Sequence, residues 1–167
     1  MKGLFIQMTG LSGSGKTTLA NKTAEKLKKD GYRVEVIDGD EYRQGLCSDL
    51  GFSREDRNTN IRRLGFVGRV LARNGVIAIM SAINPYEEIR NEIEGELVYI
   101  KCSLETVIKR DVKGLYAKAL SGEIKNFTGI SDPFEEPENP AFIISTDEKS
   151  LDTSSDMLYS FILDGIK

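Results

Sequence analysis

Residues 4–20 read LFIQMTGLSGSGKTTLA, and the two halves carry different periods. Residues 4–10 are an apolar run of strand composition. From Gly15 to Asp30 the positions Leu19, Ala20, Thr23, Ala24 and Leu27 recur at helical spacing, and Gly31 ends the pattern. Between strand and helix, Gly10 to Thr17 spell GLSGSGKT, which matches G-x-x-x-x-G-K-[ST] in the context a phosphate-binding P-loop requires. The bare pattern arises by accident about once in two hundred chains of this length, so a Gly–Ser turn with a surface lysine is the weaker explanation. Glycines let the backbone curl until several N–H groups point at one set of phosphate oxygens, and the helix N-terminus adds its dipole. Gly10, Leu11, Ser12, Gly13, Ser14, Gly15, Lys16, Thr17 and Thr18 are therefore the expected ATP cradle. Lys16 is expected to reach the β- and γ-phosphates, and the Thr17 hydroxyl to bind Mg²⁺.

The rest of the chain continues the alternation. RVEVID (33–38), VIAIM (76–80), LVYIK (97–101) and FIIST (142–146) read as strands. Helices are expected over about 53–74, briefly from Pro85, and from about Leu151. Five strands separated by helices predict a doubly wound α/β fold, a five-stranded parallel sheet with helices on both faces, within one domain over 1–167. From about 111 to 140 charge, Gly, Pro and aromatic residues replace any clear strand, which suits a lid or binding loop better than slack chain.

With 167 residues, 40% hydrophobic and 29% charged, the chain has the composition of an ordinary soluble domain able to bury a core. No apolar run approaches membrane-spanning length and the N-terminus lacks a signal-peptide layout, so the expected location is the cytoplasm. Cys47 and Cys102 have no C-x-x-C spacing and read as reduced bystanders. A net charge of −3 argues against nucleic acid as a partner. The chain contains no histidine, so acid–base work falls to carboxylates, lysine or tyrosine.

VIDGDEYR (36–43) sets Asp38 and Asp40 at the end of the second strand. Asp and Gly also form turns. In an open parallel sheet, however, the carboxyl ends of the strands form the ligand crevice, so both aspartates share a rim with the P-loop. They are candidates to hold Mg²⁺-bound water and to accept a proton from an attacking hydroxyl, Asp40 as the base and Asp38 supporting the metal. Which of the two is the base stays open at this point.

Ser53 with Asp56 resembles a capping box, and Ile61, Leu64, Gly65, Gly68, Leu71 and Ala72 form a stripe for packing on the sheet. Extended towards the N-terminus, that stripe reaches Arg57 and Asn60. Arginine in the first turns opposes the helix dipole, and an anionic ligand at the crevice would explain Arg57.

The motifs GLSGSGKTT, DGD followed by Arg43, LGFSREDRNTNIRR, RDVKGLY with KAL and GEIKNFTGI, and DPFEEPENP stand in this order along nearly the whole chain. Together they resemble the adenylylsulfate kinase family, P-loop enzymes that phosphorylate the ribose 3′-hydroxyl of adenylyl sulfate. The resemblance implies a transferase of sulfate assimilation with adenylyl sulfate as its small-molecule substrate and ATP and Mg²⁺ as cofactors. It further implies that Arg43, Arg57 and Asn60 hold the sulfate and phosphate end, that Phe52 and Phe127 sandwich the adenine, that Ile83 touches the substrate, and that Lys113 sits in the lid near the phosphates. Composition alone favours core packing for the two phenylalanines. Stacking does need flat aromatic faces, and a segment carrying Lys109, Arg110, Lys113 and Lys118 suits an electropositive lid.

The chain departs from the family pattern in SAINPY, where Asn84 stands for an expected serine and Glu87 for an expected arginine, although Arg90 fits a second one. An amide cannot accept phosphate, so a phosphoserine is excluded at position 84. Asn84 before Pro85 reads instead as a helix N-cap, with Glu87 and Glu88 suiting the dipole. The N-terminal extension and fused sulfurylase domain of some relatives are expected to be missing. Oligomeric state is not legible, a homodimer being one option. Two other functions fit the P-loop: a different small-molecule kinase, acting on a nucleoside monophosphate or sugar acid, and an NTP-binding regulatory module.

Overall fold

The computed structural model describes residues 2–167. Strand β1 (Leu4–Thr9) passes through the GLSGSGKT loop into α1 (Lys16–Lys29), followed by β2 (Val34–Asp38), α2 (Gly39–Gln44) and α3 (Arg54–Arg73). Then come β3 (Ile77–Ser81), α4 (Glu87–Glu92), β4 (Glu96–Lys101), α5 (Leu104–Arg110), α6 (Leu115–Leu120), β5 (Phe142–Ser145) and α7 (Leu151–Ile166). All strand pairs are parallel and the sheet order is β2-β3-β1-β4-β5. The chain fills one side of β1 with β2 and β3 and the other with β4 and β5, so the carboxyl end of β1 is a switch point where a ligand crevice opens.

The period of two along β1 assigns its side chains to two cores. Ile6 and Met8 pack with Leu19 and Leu27 of α1 and Leu158 and Ile162 of α7. Phe5 points the other way, into a cluster with Ile61 and Leu64 of α3 and Ile89 of α4. A third, smaller cluster holds Cys102, Val107 and Tyr116, with Leu11 and Phe127 against it. It joins the loop after β1 to the segment 111–140.

The five strands and the long helices fall within a residue or two of the expected bounds, and Ser53 caps α3 by accepting from the Asp56 amide at 3.1 Å. Three short helices had no counterpart in the sequence reading: α2, α5 and α6, of 6, 7 and 6 residues. Helix α4 begins at Glu87 with Tyr86 as its N-cap residue, later than the start expected at Pro85. Among the described residues no helix is long and apolar enough to cross a membrane.

Helix α3 packs closely on β1. A Cβ on Gly68 would stand 2.3 Å from the Phe5 ring, and one on Gly95 2.6 Å from the opposite part of it. The ring is wedged between two glycines, and their lack of side chains sets the spacing of helix and sheet. Gly68→Ala should therefore destabilise the protein by about 1–3 kcal/mol, although alanine is the better helix former, because overpacking outweighs propensity. Urea denaturation checks this; a neutral or stabilising effect would show that Phe5 has room to move.

Candidate active site

The loop between β1 and α1 is shaped by Gly13 and Gly15, whose φ angles of 76° and 91° are left-handed and open to glycine at little cost. No side chain caps α1 and no acidic residue lies in its first turn, so its N-terminal amides and dipole face the crevice. Lys16 is buried and folds back into the loop. Its Nζ donates to the carbonyls of Gly10 (2.9 Å) and Leu11 (2.8 Å) and to Ser14 Oγ (3.4 Å). Burial pulls its pKa down to about 7, against the raising effect of the Asp40 carboxylate.

Thr17 stands at the junction of three elements. Its hydroxyl donates to Asp38 Oδ2 at 2.7 Å and lies 3.0 Å from Ser81 Oγ at the end of β3. The other oxygen of Asp38 accepts from the amides of Asp40 (2.9 Å) and Glu41 (3.1 Å), which makes Asp38 the N-cap of α2. Asp38 therefore ties the metal-binding hydroxyl expected of the P-loop to the turn that presents Asp40. Asp40 itself is exposed, and its carboxylate pairs with Lys113. The oxygens of Thr17, Asp38 and Ser81 are hard donors of the kind Mg²⁺ takes.

The expected substrate residues gather around the start of α3. The Arg43 guanidinium lies 4.5 Å above the ring of Phe52, which is 64% exposed, and donates to the Gly51 carbonyl at 2.7 Å. Phe127 is half-buried and meets Tyr116 edge-on, centroids 5.0 Å apart. Arg57 is buried; it donates to the Phe52 carbonyl (2.9 Å), Thr128 Oγ1 (2.5 Å) and the Asn126 carbonyl, and is ion-paired with Asp132 Oδ2 at 3.2 Å. Asn60 is buried with its Oδ1 unpartnered. Ile83 is half-buried on the rim, its carbonyl accepting from the Gly10 amide at 3.1 Å and the Thr9 hydroxyl at 3.0 Å.

Two expectations are corrected. Asn84 does not cap α4. It has a φ of 49°, is buried, and its amide nitrogen donates to Gln7 Oε1 at 3.3 Å. The first amide of α4, that of Glu87, donates instead to Glu135 Oε2 at 2.7 Å, a carboxylate 48 residues further along. Nor is the segment after β4 a uniformly positive lid. Lys109 pairs with Glu105 at 2.6 Å inside α5, Lys118 approaches Glu123 at 3.9 Å, and Arg110 donates to the Thr146 carbonyl at 2.9 Å. Of the four cations only Lys113 reaches an aspartate of the site.

Arg90, 2% exposed, does structural work. It donates to Glu87 Oε2 (2.5 Å), the Asn84 carbonyl (2.9 Å), Thr9 Oγ1 (3.3 Å) and the Glu135 carbonyl (2.7 Å). Ser81, Glu135 and Tyr116 were not found from the sequence. Tyr116 donates its hydroxyl to the Ser12 carbonyl at 2.7 Å and so ties α6 to the P-loop. The one signal for Ser81 was its place after a strand that ends beside Asp38.

The adenylylsulphate kinase family model matches residues 2–145. A probable adenylyl-sulfate kinase of Synechocystis is 51% identical over 168 residues, 98% of this chain and 95% of the relative. An adenylyl-sulfate kinase of Chloroflexus aurantiacus is 53% identical over 161 residues, 93% and 87% of the two chains. Among solved structures, the APS kinase of Mycobacterium tuberculosis in complex with AMPPNP and APS is similar with a TM-score of 0.92 at 39% identity, covering 98% of both chains.

The capping exchange at α4 is open to measurement. Glu135→Ala should cost about 1 kcal/mol, the usual loss of a cap, and speed hydrogen exchange at the Glu87 amide. Asn84→Ala should leave that amide protected. Exchange of the Glu87 amide that responds to Asn84→Ala and not to Glu135→Ala would restore the local cap.

Proposed function

The chain belongs to the adenylylsulphate kinase family, and from that premise we propose that it transfers the γ-phosphoryl group of ATP to the ribose 3′-hydroxyl of adenylyl sulfate, yielding 3′-phosphoadenylyl sulfate and ADP. The observation that carries the assignment of roles is the division of labour between the two aspartates. Both oxygens of Asp38 are engaged, one by Thr17 and the other by the amides of α2. The Asp40 carboxylate is bound only to the exposed Lys113 side chain and is free to accept a proton once Lys113 leaves it. Asp40 is thus the base towards the 3′-hydroxyl, and Asp38 the residue that orients.

Thr17 and Asp38 would hold Mg²⁺, which would supply positive charge against the phosphate oxygens during transfer. Lys16 exchanges its three loop acceptors for phosphate oxygens, and Lys113 moves from Asp40 to the phosphates as the lid over 111–140 closes. Arg43, Arg57, Asn60 and Ile83 line the acceptor side, with Phe52 and Phe127 as walls for its adenine. Transfer is direct and in line, since position 84 offers no phosphoryl nucleophile. Positioning and charge neutralisation provide most of the acceleration, as is usual for phosphoryl transfer. A cytoplasmic location, where ATP is at hand, and a homodimer belong to the same proposal.

The test is to follow ADP release and phosphorylated product with ATP, Mg²⁺ and a panel of acceptors. Turnover should require adenylyl sulfate; turnover with a nucleoside monophosphate or sugar acid instead, or ATP hydrolysis without any acceptor, would overturn the assignment. Lys16→Ala should abolish transfer, and Asp40→Asn should lower kcat by about 10²-fold or more with little change in either KM. A pure KM effect would demote Asp40 to a binding residue.

The buried lysine adds a pH signature. With its pKa near 7 in the free protein, Lys16 is largely neutral at pH 8, and triphosphate oxygens favour the ammonium and raise the pKa. ATP binding should take up close to one proton per site at pH 8 and almost none at pH 6. Calorimetry in buffers of different ionisation enthalpy measures this, and equal proton linkage at both values would show that Lys16 is already charged in the free loop.

A further inference from the structure

A phosphate cradle works through backbone amides, and an amide can be aimed from the other end of its own peptide unit. The peptide is planar and trans, so the carbonyl of one residue and the N–H of the next point in opposite directions. A group that holds the Ser12 carbonyl therefore sets the direction of the Gly13 amide, and one that holds the Ser14 carbonyl sets that of Gly15. Both carbonyls are held, each by a hydroxyl from outside the loop. Tyr116 donates to the Ser12 carbonyl at 2.7 Å, and Thr146 Oγ1 donates to the Ser14 carbonyl at 2.7 Å. Among the described residues the amides of Gly13 and Gly15 donate to no protein group.

The two holders are themselves fixed. Tyr116 is buried, and the Asp111 carboxylate accepts from the amides of Tyr116 and Ala117 at 2.9 and 3.0 Å, which anchors the start of α6. The Tyr116 ring lies against the loop as well, since a Cβ on Gly13 would stand 3.9 Å from it. Burial pushes the phenol well above its usual range, so it stays protonated and keeps its donor. Thr146 follows β5 directly, and its amide donates to the Lys101 carbonyl at 2.9 Å, continuing the pairing of β4 with β5. One holder thus belongs to the segment that carries Lys113, and the other to the sheet.

Resting on the reading of this loop as the ATP cradle, we infer that Tyr116 and Thr146 are positioning residues that aim the Gly13 and Gly15 amides at the phosphates. Each of these peptide units ends in a glycine, which by itself leaves the unit wide freedom to turn. A hydroxyl bonded to the carbonyl removes that freedom before nucleotide arrives, and a preorganised donor has less to lose on binding. Neither side chain needs to touch the nucleotide for this.

Tyr116→Phe keeps the ring and its edge contact with Phe127 and removes only the hydroxyl. Thr146→Val removes the second hydroxyl, and Thr146→Ser retains it. Wild type and the three variants are titrated by calorimetry with MgADP, and with adenylyl sulfate at saturating MgADP, and amide NMR spectra of the free proteins are compared. Tyr116→Phe and Thr146→Val should each raise the Kd of MgADP about fivefold, the usual worth of one neutral hydrogen bond, with the Kd of adenylyl sulfate unchanged. Thr146→Ser should restore the wild-type value. In the spectra the largest shift should fall on the Gly13 amide in Tyr116→Phe and on the Gly15 amide in Thr146→Val, because an amide nitrogen reports the hydrogen bond at the carbonyl of its own peptide unit. Wild-type MgADP affinity in either variant would overturn the inference, as would an equal loss of affinity for both ligands, the mark of general damage to the fold. If Tyr116→Phe does not fold, the Thr146 pair and the Gly15 amide decide. The MgADP titrations need no acceptor, so a wild-type protein that binds MgADP without phosphorylating adenylyl sulfate would overturn the proposed function and leave the aiming of the amides intact. A wild-type protein that binds no MgADP would overturn the cradle reading itself.

Discussion

One buried guanidinium holds the rim of this sheet together. Arg90 reaches the end of β1 through Thr9, the loop after β3 through the Asn84 carbonyl, its own helix through Glu87, and the segment leading to β5 through the Glu135 carbonyl. A charge so far from water persists only when fully paired, and removing one member of such a set leaves an uncompensated ion at a cost of about 3–5 kcal/mol. The parallel sheet by itself brings strand ends to one side. It does not fix the loops that leave those ends, and Arg90 does so for three of them at once. Glu135 then serves twice, its carbonyl on Arg90 and its carboxylate on the first amide of α4 and on Arg54.

Asp38 plays the equivalent part on the other side of the crevice. Its two oxygens face different elements, so α1, which carries Thr17, and α2, which carries Asp40, cannot shift independently. A carboxylate engaged in this way is a good strut. Its neighbour two residues on is exposed and bound to a single flexible ammonium. Two aspartates of identical chemistry thereby acquire different surroundings.

What was legible in the sequence follows the range of the physics involved. The alternation of periods in β1 and α1, the P-loop between them, the aspartates where β2 surfaces, and the Ser53 cap all depend on residues within a few positions of one another, and each lies where expected. Helices α2, α5 and α6 complete at most two turns, too few for a 3.6-residue period to stand out from noise. Asn84 satisfied the local rule for a cap, yet the amide it was expected to serve is taken by Glu135, and no local pattern announces a partner 48 residues away. The same holds for Arg57. Its inward position was visible from the helical stripe, but its three acceptors and its ion-pair partner come from two loops that only the fold brings together.

The cations of the site share one property. Lys16 is held by loop carbonyls, Lys113 by Asp40, Arg43 by the Gly51 carbonyl and the Phe52 face, and Arg57 by the Phe52 and Asn126 carbonyls, Thr128 and Asp132. Each is bonded to a protein group in the free protein, although burial still draws the Lys16 pKa down to about 7. Every ligand must therefore compete with a protein group for each cation it uses, and it gains only the difference between two partners. For Lys16 that difference is large, because neutral carbonyls are replaced by phosphate oxygens with full charge. For Arg57 it is small, since a carboxylate and three well-placed oxygens already occupy the fork. Cations of equal formal charge in one crevice are thus graded by what they already hold.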